Sequence, residues 1–341
     1  MRRPGARILA VAVLCAIVVG GIVAYAAMQR RAVQARTAAA PPVAQVGLDE
    51  VRQGPHLVFR STAPGAEYGL VAAVPIDAPD GPRAFTDVAC DRVDATPDAA
   101  SCLRTLRGVV TRYEARLLDA DWQTVQTWPL PGLPSRTRLS DDGTLLATTS
   151  FVTGHSYASV GFSTETVVHK ADGSTFGNLE EFALTVGGEP FTALDRNIWG
   201  VTFVDDDVFY ATAASQSASA TWLVRGSLSA RTLDALRENV ECPSLSPDGT
   251  RVAFKRDVGD GATPYWAIAV LDLATGAETV LAEERDVDDQ VAWLDDDTLL
   301  YGMPREDDIG VTDVWAIPAR PDAAARVLIP QAWSPAVVRD G

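Results

Sequence analysis

A chain of 341 residues with 47% hydrophobic residues is long enough to bury one large domain or two ordinary ones, which excludes general disorder. Its formal net charge is −16, although residues 1–36 carry six arginines and no acid, so the rest of the chain is more acidic still. Such a domain is not expected to bind nucleic acid by general electrostatic attraction.

The first predicted element is a transmembrane helix over residues 8–27. This run has twenty positions without a charge, and at about 1.5 Å per residue it spans the ~30 Å hydrocarbon core of a bilayer. A cleaved signal peptide is the alternative, because Arg2, Arg3 and Arg7 form a positive leader. The run exceeds the roughly 7–15 residues of a signal core, which favours an uncleaved anchor and a short cytoplasmic tail over residues 1–7.

The residues around this helix add three expectations. Cys15 follows a bulky leucine, where lipoproteins usually have a small residue, so it is interpreted as a membrane-buried thiol. Three arginines before the helix and three after it leave the positive-inside rule undecided. Residues 28–45 are predicted to be a linker, because their Pro41-Pro42 pair makes the chain semi-rigid.

Two cysteines indicate the compartment of the following domain. Cys90 and Cys102 close a loop of about thirteen residues, which suits a local disulfide worth ~3 kcal/mol. Two unpaired thiols are the alternative, and metal binding is disfavoured because no CxxC or nearby histidine completes a ligand set. A disulfide requires an oxidising compartment, so the domain is expected outside the cytoplasm, with Cys242 single and buried.

Short hairpins recur along the rest of the chain. Residues 139–144 and 245–250 share the pattern Leu-Ser-x-Asp-Gly-Thr, and residues 205–207 and 295–297 are aspartate triplets between apolar segments. Asp-Gly and Asp-Asp pairs can adopt the positive φ angles of a two-residue turn. The predicted repeat-turn residues, with a structural role, are Asp142, Gly143, Asp206, Asp248, Gly249 and Asp296.

Each hairpin begins a unit of about 45 residues with four predicted strands, the size of one propeller blade. Such units must stack to bury their faces, and a closed ring protects their edges. The predicted fold class is therefore all-β, a β-propeller of about six four-stranded antiparallel blades over residues 46–338, preceded by one N-terminal transmembrane helix.

The predicted units cover residues 46–88, 89–134, 135–196, 197–238, 239–284 and 285–330, and residues 333–338 return to close the ring. The third unit is long. Its extra residues, at 154–161 and 178–188, are expected to form exposed loops, where propellers often carry binding specificity.

One unit resembles a known family. Residues 245–254 (LSPDGTRVAF), followed by 269–276 (AVLDLATG), resemble the TolB-type, WD40-like propeller repeat. Degenerate copies extend the resemblance over residues 135–330, whereas residues 46–134 depart from it. In that family the repeat residues are structural and the proteins bind other envelope proteins, so the resemblance implies a binding scaffold. Two lysines against many arginines also resemble the composition of a high-GC actinobacterium.

Other chemistry has little support in the sequence. It contains neither a G-x-S-x-G elbow nor a glycine-rich phosphate loop. His56, His155 and His169 lack metal-ligand spacing, and the aspartate triplets lack EF-hand spacing, so turn chemistry is preferred to calcium binding. No metal or cofactor is expected.

Most of the eight tryptophans are expected to pack blades, with one or two on a ring face anchoring a peptide or sugar. They are Trp122, Trp128, Trp199, Trp222, Trp266, Trp293, Trp315 and Trp333.

The sequence therefore predicts a single-pass membrane protein that is not an enzyme. Its extracytoplasmic propeller is expected to bind an envelope protein or a cell-wall component. The alternative is a propeller-type hydrolase or lactonase with a metal or carboxylate site in the central channel. A sensor role would need a membrane partner, because only seven residues precede the apolar run.

Overall fold

A computed structural model describes residues 4–39, 42–152, 163–261 and 263–339. Helix α1 covers Pro4–Ala39, and its 21-residue segment Val11–Arg31 has a mean hydropathy of 2.5, which suits a membrane span or a signal sequence. The helix continues into the range predicted as a linker, because alanine, glutamine and arginine favour helix up to the Pro41-Pro42 pair. A four-residue helix, α2, covers Leu48–Val51.

The rest of the chain forms six sheets arranged as the blades of a propeller. Blade 1 contains β1 (His56–Ser61), β2 (Leu70–Pro75) and β3 (Ala84–Ala89). Blade 2 contains β4 (Arg92–Ala95), β5 (Ala99–Leu106), β6 (Arg112–Asp119) and β7 (Thr124–Leu130). Blade 3 contains β8 (Leu133–Leu139), β9 (Leu145–Val152), β10 (Ser163–Lys170) and β11 (Thr175–Asn178).

The second half of the ring has the same plan. Blade 4 contains β14 (Arg196–Phe203), β15 (Val208–Ser215), β16 (Ala220–Ser227) and β17 (Thr232–Glu238). Blade 5 contains β18 (Glu241–Leu245), β19 (Arg251–Asp257), β20 (Trp266–Asp272) and β21 (Glu278–Val280). Blade 6 contains β22 (Ala292–Asp295), β23 (Thr298–Pro304), β24 (Thr312–Pro318) and β25 (Arg326–Ile329).

The C-terminal strand closes the ring, as the sequence predicts. Strand β26 (Ala332–Val338) pairs antiparallel with β1, with Leu57 opposite Val337 and Val58 opposite Ala336. It is therefore the innermost strand of blade 1. The innermost strands contact one another around the ring in the order β26, β4, β8, β14, β18, β22 and back to β26, so they line a central channel.

The core lies between neighbouring blades. Second and third strands are buried because each sheet is covered on both faces by the next blades in the ring. Leu57, Phe59, Phe209, Phe254 and Tyr301 are all fully buried, and all lie on second strands. Burial on both faces explains why these strands are nearly continuous apolar runs.

One expectation about the long third unit is wrong. The segment 178–188 is not an exposed loop: after a short 3-10 helix (Leu179–Glu181), β12 (Ala183–Val186) pairs parallel with β17 and β13 (Glu189–Phe191) pairs with β12. Blade 4 is thus six-stranded. The hairpin covers the outer edge of β17, whose unpaired backbone groups offer a template for an added strand. The other predicted loop, 154–161, lies outside the described residues.

Candidate functional site

The two faces of the ring carry different connections. Alternating strand directions place every hairpin between first and second strands, and every turn between third and fourth strands, on one face. We call it the hairpin face. The opposite face carries the connections from second to third strands and from each blade to the next, and we call it the connection face.

The predicted repeat turns lie on the hairpin face. Asp142 Oδ1 accepts hydrogen bonds from Ser140 Oγ (2.6 Å) and from the Thr144 N–H (3.0 Å), and Asp248 makes the same bonds with Ser246 and Thr250. These bonds lower the pKa of Asp248 to about 2. Gly143 and Gly249 both have φ of +70°, which side-chain-bearing residues rarely adopt.

The loops at these two turns are longer than the two residues expected. The Ser140 N–H donates to the Leu145 carbonyl and the Gly143 N–H to the Ser140 carbonyl, so a tight turn followed by a left-handed glycine fills a four-residue loop. Between β22 and β23 the turn does have two residues, because Asp295 pairs with Thr298.

The aspartate triplets accept hydrogen bonds both within their own hairpins and from a neighbouring hairpin. Asp206 is exposed at the tip of its turn, while Asp205 Oδ1 accepts from the N–H groups of Asp207 (2.9 Å) and Val208 (2.6 Å). Asp296 Oδ1 accepts from the Asp248 N–H at 3.0 Å and so joins blade 6 to blade 5. Among the residues that the structure describes, no three metal-ligating side chains gather.

The cysteines fall into two classes. Cys90, next to β3, and Cys102, within β5, form a disulfide with a Cα–Cα distance of 5.4 Å. The bond ties blade 1, where the ring closes, to blade 2. Cys242 is buried and unpaired, and its N–H donates to Thr212 Oγ1 at 2.8 Å, whereas Cys15 is an exposed thiol on α1.

The histidines have local roles. His56 Nδ1 lies 2.9 Å from the Gly54 carbonyl oxygen. His169 is buried in blade 3, where its ring stacks on Trp128 at 4.5 Å and its Nε2 lies 3.2 Å from Thr148 Oγ1. Burial lowers the pKa of His169 to about 4. His155 lies outside the part of the chain that the structure describes.

Charged side chains from different blades converge in the central channel. Arg92 forms an ion pair with Asp289 (2.9 Å) and lies 4.6 Å from the ring centroid of Trp333. Asp289 also accepts from the Gly302 N–H at 3.0 Å. Arg138 lies 3.9 Å from Asp94. Burial raises the pKa of Asp94, against the opposing effect of Arg138.

A second cluster lies at the end of the channel that opens on the connection face. Lys255 Nζ, with a side chain 4% exposed, lies 2.6 Å from Asp288 Oδ1 and 3.6 Å from Glu241 Oε2. It also lies 4.5 Å from the ring centroid of Trp266. Four carboxylates thus line the channel in separate ion pairs, and each one contacts an arginine or a lysine.

A groove of about 700 Å³ opens on the connection face between blades 4 and 5, within the size range of ligand sites. Its lining includes two tryptophans, four carboxylates and several amides and hydroxyls, and none of the described residues that line it is an arginine, lysine or histidine. The tryptophans and carboxylates are Trp199, Trp266, Asp195, Glu238, Glu241 and Asp257. We call this site the blade 4–5 groove.

The aspartates of the groove are held by neutral donors. Asp195 accepts from the Ser217 N–H (2.6 Å) and the Ser215 hydroxyl (2.9 Å), and these bonds outweigh burial and lower its pKa. Asp257 Oδ1 accepts from the N–H groups of Gly259 (2.8 Å) and Tyr265 (3.0 Å). Such bonds fix the carboxylates without cancelling their charge.

The two glutamates of the groove have different surroundings. Glu238 is exposed, and within the described ranges its side chain makes no ion pair or hydrogen bond. Burial raises the pKa of Glu241, and Asp288 and Asp257 raise it further, against the effect of Lys255. The groove therefore carries more negative than positive charge.

The fold and the groove define a six-bladed propeller with a ligand-sized site on one face. No protein-family model and no curated protein matches the chain. Among solved structures, TolB from Acinetobacter baumannii is similar, with a TM-score of 0.58 and 14% identity over 85% of this chain and 68% of that one. At this identity the likeness shows the fold, so the chain has a TolB-like propeller fold.

Two further solved structures are similar to this chain at lower TM-scores. A puromycin-hydrolyzing peptidase from Mycobacterium tuberculosis has a TM-score of 0.48 and 13% identity, over 82% of this chain and 44% of that one. An oligogalacturonate lyase in complex with manganese has a TM-score of 0.46 and 10% identity, over 75% of each chain.

Proposed function

We propose that this protein is a membrane-tethered binding protein whose TolB-like propeller holds an envelope protein or a cell-wall component outside the cytoplasm. The observation that carries the proposal is the blade 4–5 groove, an open site of about 700 Å³ lined by Trp199, Trp266 and groups able to form hydrogen bonds. Tryptophans in such sites supply large contact areas at low entropic cost.

The central channel is a weaker candidate for the binding site. Its charged groups pair with one another across blades, as Arg92 does with Asp289 and Lys255 with Asp288. Gln290 adds a crosslink, since its Nε2 donates to the Pro243 carbonyl at 3.2 Å. A ligand in the channel would have to displace these interactions, whereas the groove is already open.

Two features support the proposed location. The apolar segment Val11–Arg31 has the length and composition of an anchor, and the Cys90–Cys102 disulfide suits an oxidising compartment. Protease added to intact spheroplasts should degrade a C-terminally tagged chain. In a separate fractionation without protease, the full-length chain should be found in the membrane fraction. Protection from protease would overturn the extracytoplasmic location, and a shortened soluble chain would overturn the anchor.

Site-specific photocrosslinking in intact cells tests the binding role. A photoreactive amino acid at the exposed groove residue Gln216 is compared with the same substitution at exposed Asp322, which lies on the hairpin face. We expect one discrete adduct from position 216 and none from position 322. The same adducts from both positions, or no adduct from position 216, would overturn the groove as the binding site.

A further inference from the structure

The charges around the blade 4–5 groove point to the chemistry of its ligand. Four carboxylates line the groove, and within the part of the chain that the structure describes no lining residue is basic. The nearest cation described above, Lys255, is already shared by Asp288 and Glu241. A ligand that enters the groove therefore meets uncompensated negative charge, which a cationic group would neutralise.

The nearby arginines do not neutralise the groove because strand geometry turns them away. Arg237 precedes Glu238 on β17, and Arg256 precedes Asp257 on β19. Successive side chains of a strand point to opposite faces of the sheet. Both arginines instead contact Glu278 on β21, Arg237 at 2.6 Å, and the two carboxylates remain on the groove side.

The other lining groups suit a peptide more than an isolated cation. The partly exposed ring of Trp266 can hold the aliphatic stem of a lysine or arginine, while its charged end reaches a carboxylate, and the buried Trp199 contributes only a small part of the lining. Ser219 and Thr221 add hydroxyls that can bond to a peptide backbone. Lys255 Nζ lies 4.5 Å from the ring centroid of Trp266, so the stem of the ligand packs against the part of this ring that faces the groove.

We propose that the blade 4–5 groove binds an extended, lysine- or arginine-bearing peptide segment of the partner. This inference rests on the proposed function and names the partner's chemistry. Glu238 and Asp257 bind the basic side chains, and Trp266 packs against the stem of one of them. Since the attraction acts at an exposed site, it weakens as salt is added.

Peptide binding to the full-length chain in neutral detergent tests this proposal. The probes are the hexapeptides Lys-Ala-Lys-Ala-Lys-Ala, Glu-Ala-Glu-Ala-Glu-Ala and Ser-Ala-Ser-Ala-Ser-Ala, each with the same uncharged fluorophore, and binding is followed by anisotropy. We expect the lysine peptide to bind and the other two to bind at least tenfold more weakly. Equal binding of the three peptides, or no binding of the lysine peptide, would overturn the proposal.

Matched variants locate the binding. Glu238→Gln should lower the affinity for the lysine peptide two- to fivefold. The double variant Glu238→Gln with Asp257→Asn should lower it about tenfold, the range expected for exposed ion pairs. Asp322→Asn makes the same charge change as Glu238→Gln on the hairpin face and should leave affinity unchanged. An equal loss in Asp322→Asn would mean that binding reflects only the net charge. If the double variant misfolds, Glu238→Gln still tests the proposal, since the Glu238 side chain has no partner among the described residues.

The outcomes separate this inference from the proposed function. Binding of chitotetraose that persists in the double variant would identify a glycan site, overturning the cationic peptide but not the binding role. If the lysine peptide binds but photocrosslinking from position 216 yields no partner, the ligand chemistry stands and the proposed cellular function fails.

Discussion

The central channel and the blade 4–5 groove are both lined by carboxylates from neighbouring blades, but these carboxylates have different partners in the two places. In the channel Asp289 faces Arg92, and Asp94 faces Arg138. In the groove Asp195 and Asp257 are held by N–H groups and hydroxyls, and Glu238 has no partner within the described ranges. Ion pairs between blades stabilise the ring, whereas carboxylates that are held only by neutral donors remain available to a cationic ligand.

The largest expected effect comes from breaking a channel pair. Asp289→Ala should lower the free energy of unfolding by about 3–5 kcal/mol, because it leaves Arg92, whose side chain is only 15% exposed, without its counter-charge. Urea denaturation of the full chain measures the change, with Asp322→Ala on the hairpin face as the control. A loss below about 1 kcal/mol would show that the channel pair contributes no more than a surface ion pair.

Glu180 gives the next effect, because it is a partly buried carboxylate whose side chain has no basic partner among the described residues. It accepts bonds from the N–H groups of Thr166 and Ile198, both at 3.1 Å, and so joins blades 3 and 4. Burial raises its pKa to about 7. The folded protein therefore holds this proton more tightly than the unfolded chain does, and stability should fall as the pH rises from about 4.5 through about 7.

The size of this Glu180 effect is about 3 kcal/mol, from roughly 1.4 kcal/mol per pKa unit. Denaturation curves between pH 4.5 and 8 should show the fall in the natural protein, and Glu180→Gln should lack it. Parallel pH profiles for the two proteins would contradict the assignment.

His169 should give a similar effect of opposite sign. Its pKa is about 4 in the fold against an ordinary 6.5, so its contribution is complete above pH 6.5 and is lost as the pH falls through 4. The loss is about 3 kcal/mol by the same conversion. His169→Phe keeps an aromatic ring against Trp128, and the stability of this variant should fall less as the pH is lowered through this window. An unchanged fall would contradict the assignment of His169 as a neutral side chain in the fold.

The smallest stability effect should come from the groove itself. Glu238→Gln should change the free energy of unfolding by less than about 0.5 kcal/mol, as expected for an exposed residue without partners in the described ranges, while it weakens binding of the lysine peptide. Thermal melting beside anisotropy checks both halves of the prediction. A stability loss comparable to that of Asp289→Ala would erase the distinction between channel and groove.

Part of the molecule could be predicted because it depends on local patterns. The Asp-Gly pairs at residues 142–143 and 248–249 carry both turn chemistry and repeat spacing, and they identify hairpins and blades. The pairing of Cys90 with Cys102 follows from a short loop. Tryptophans on a ring face were expected as well, but nothing local singles out Trp199 and Trp266 among the eight.

The groove and the added hairpin could not be predicted in this way. Glu238 and Asp257 are two acids among 45, and they meet only because blades 4 and 5 are neighbours in the ring. Residues 183–186, which form β12, were expected to lie in a loop because they exceed the length of one four-stranded blade. Its position is set by the open edge of β17.

The sequence by itself determined the apolar N-terminal segment, the hairpins, the repeat and hence the propeller, because these depend on residues within a few positions of one another. Only the tertiary structure decided which charges are compensated, since Arg92 meets Asp289 across 197 positions while Glu238 meets no partner among the described residues. Coulomb energies depend on distance and burial, and neither can be obtained from order along the chain.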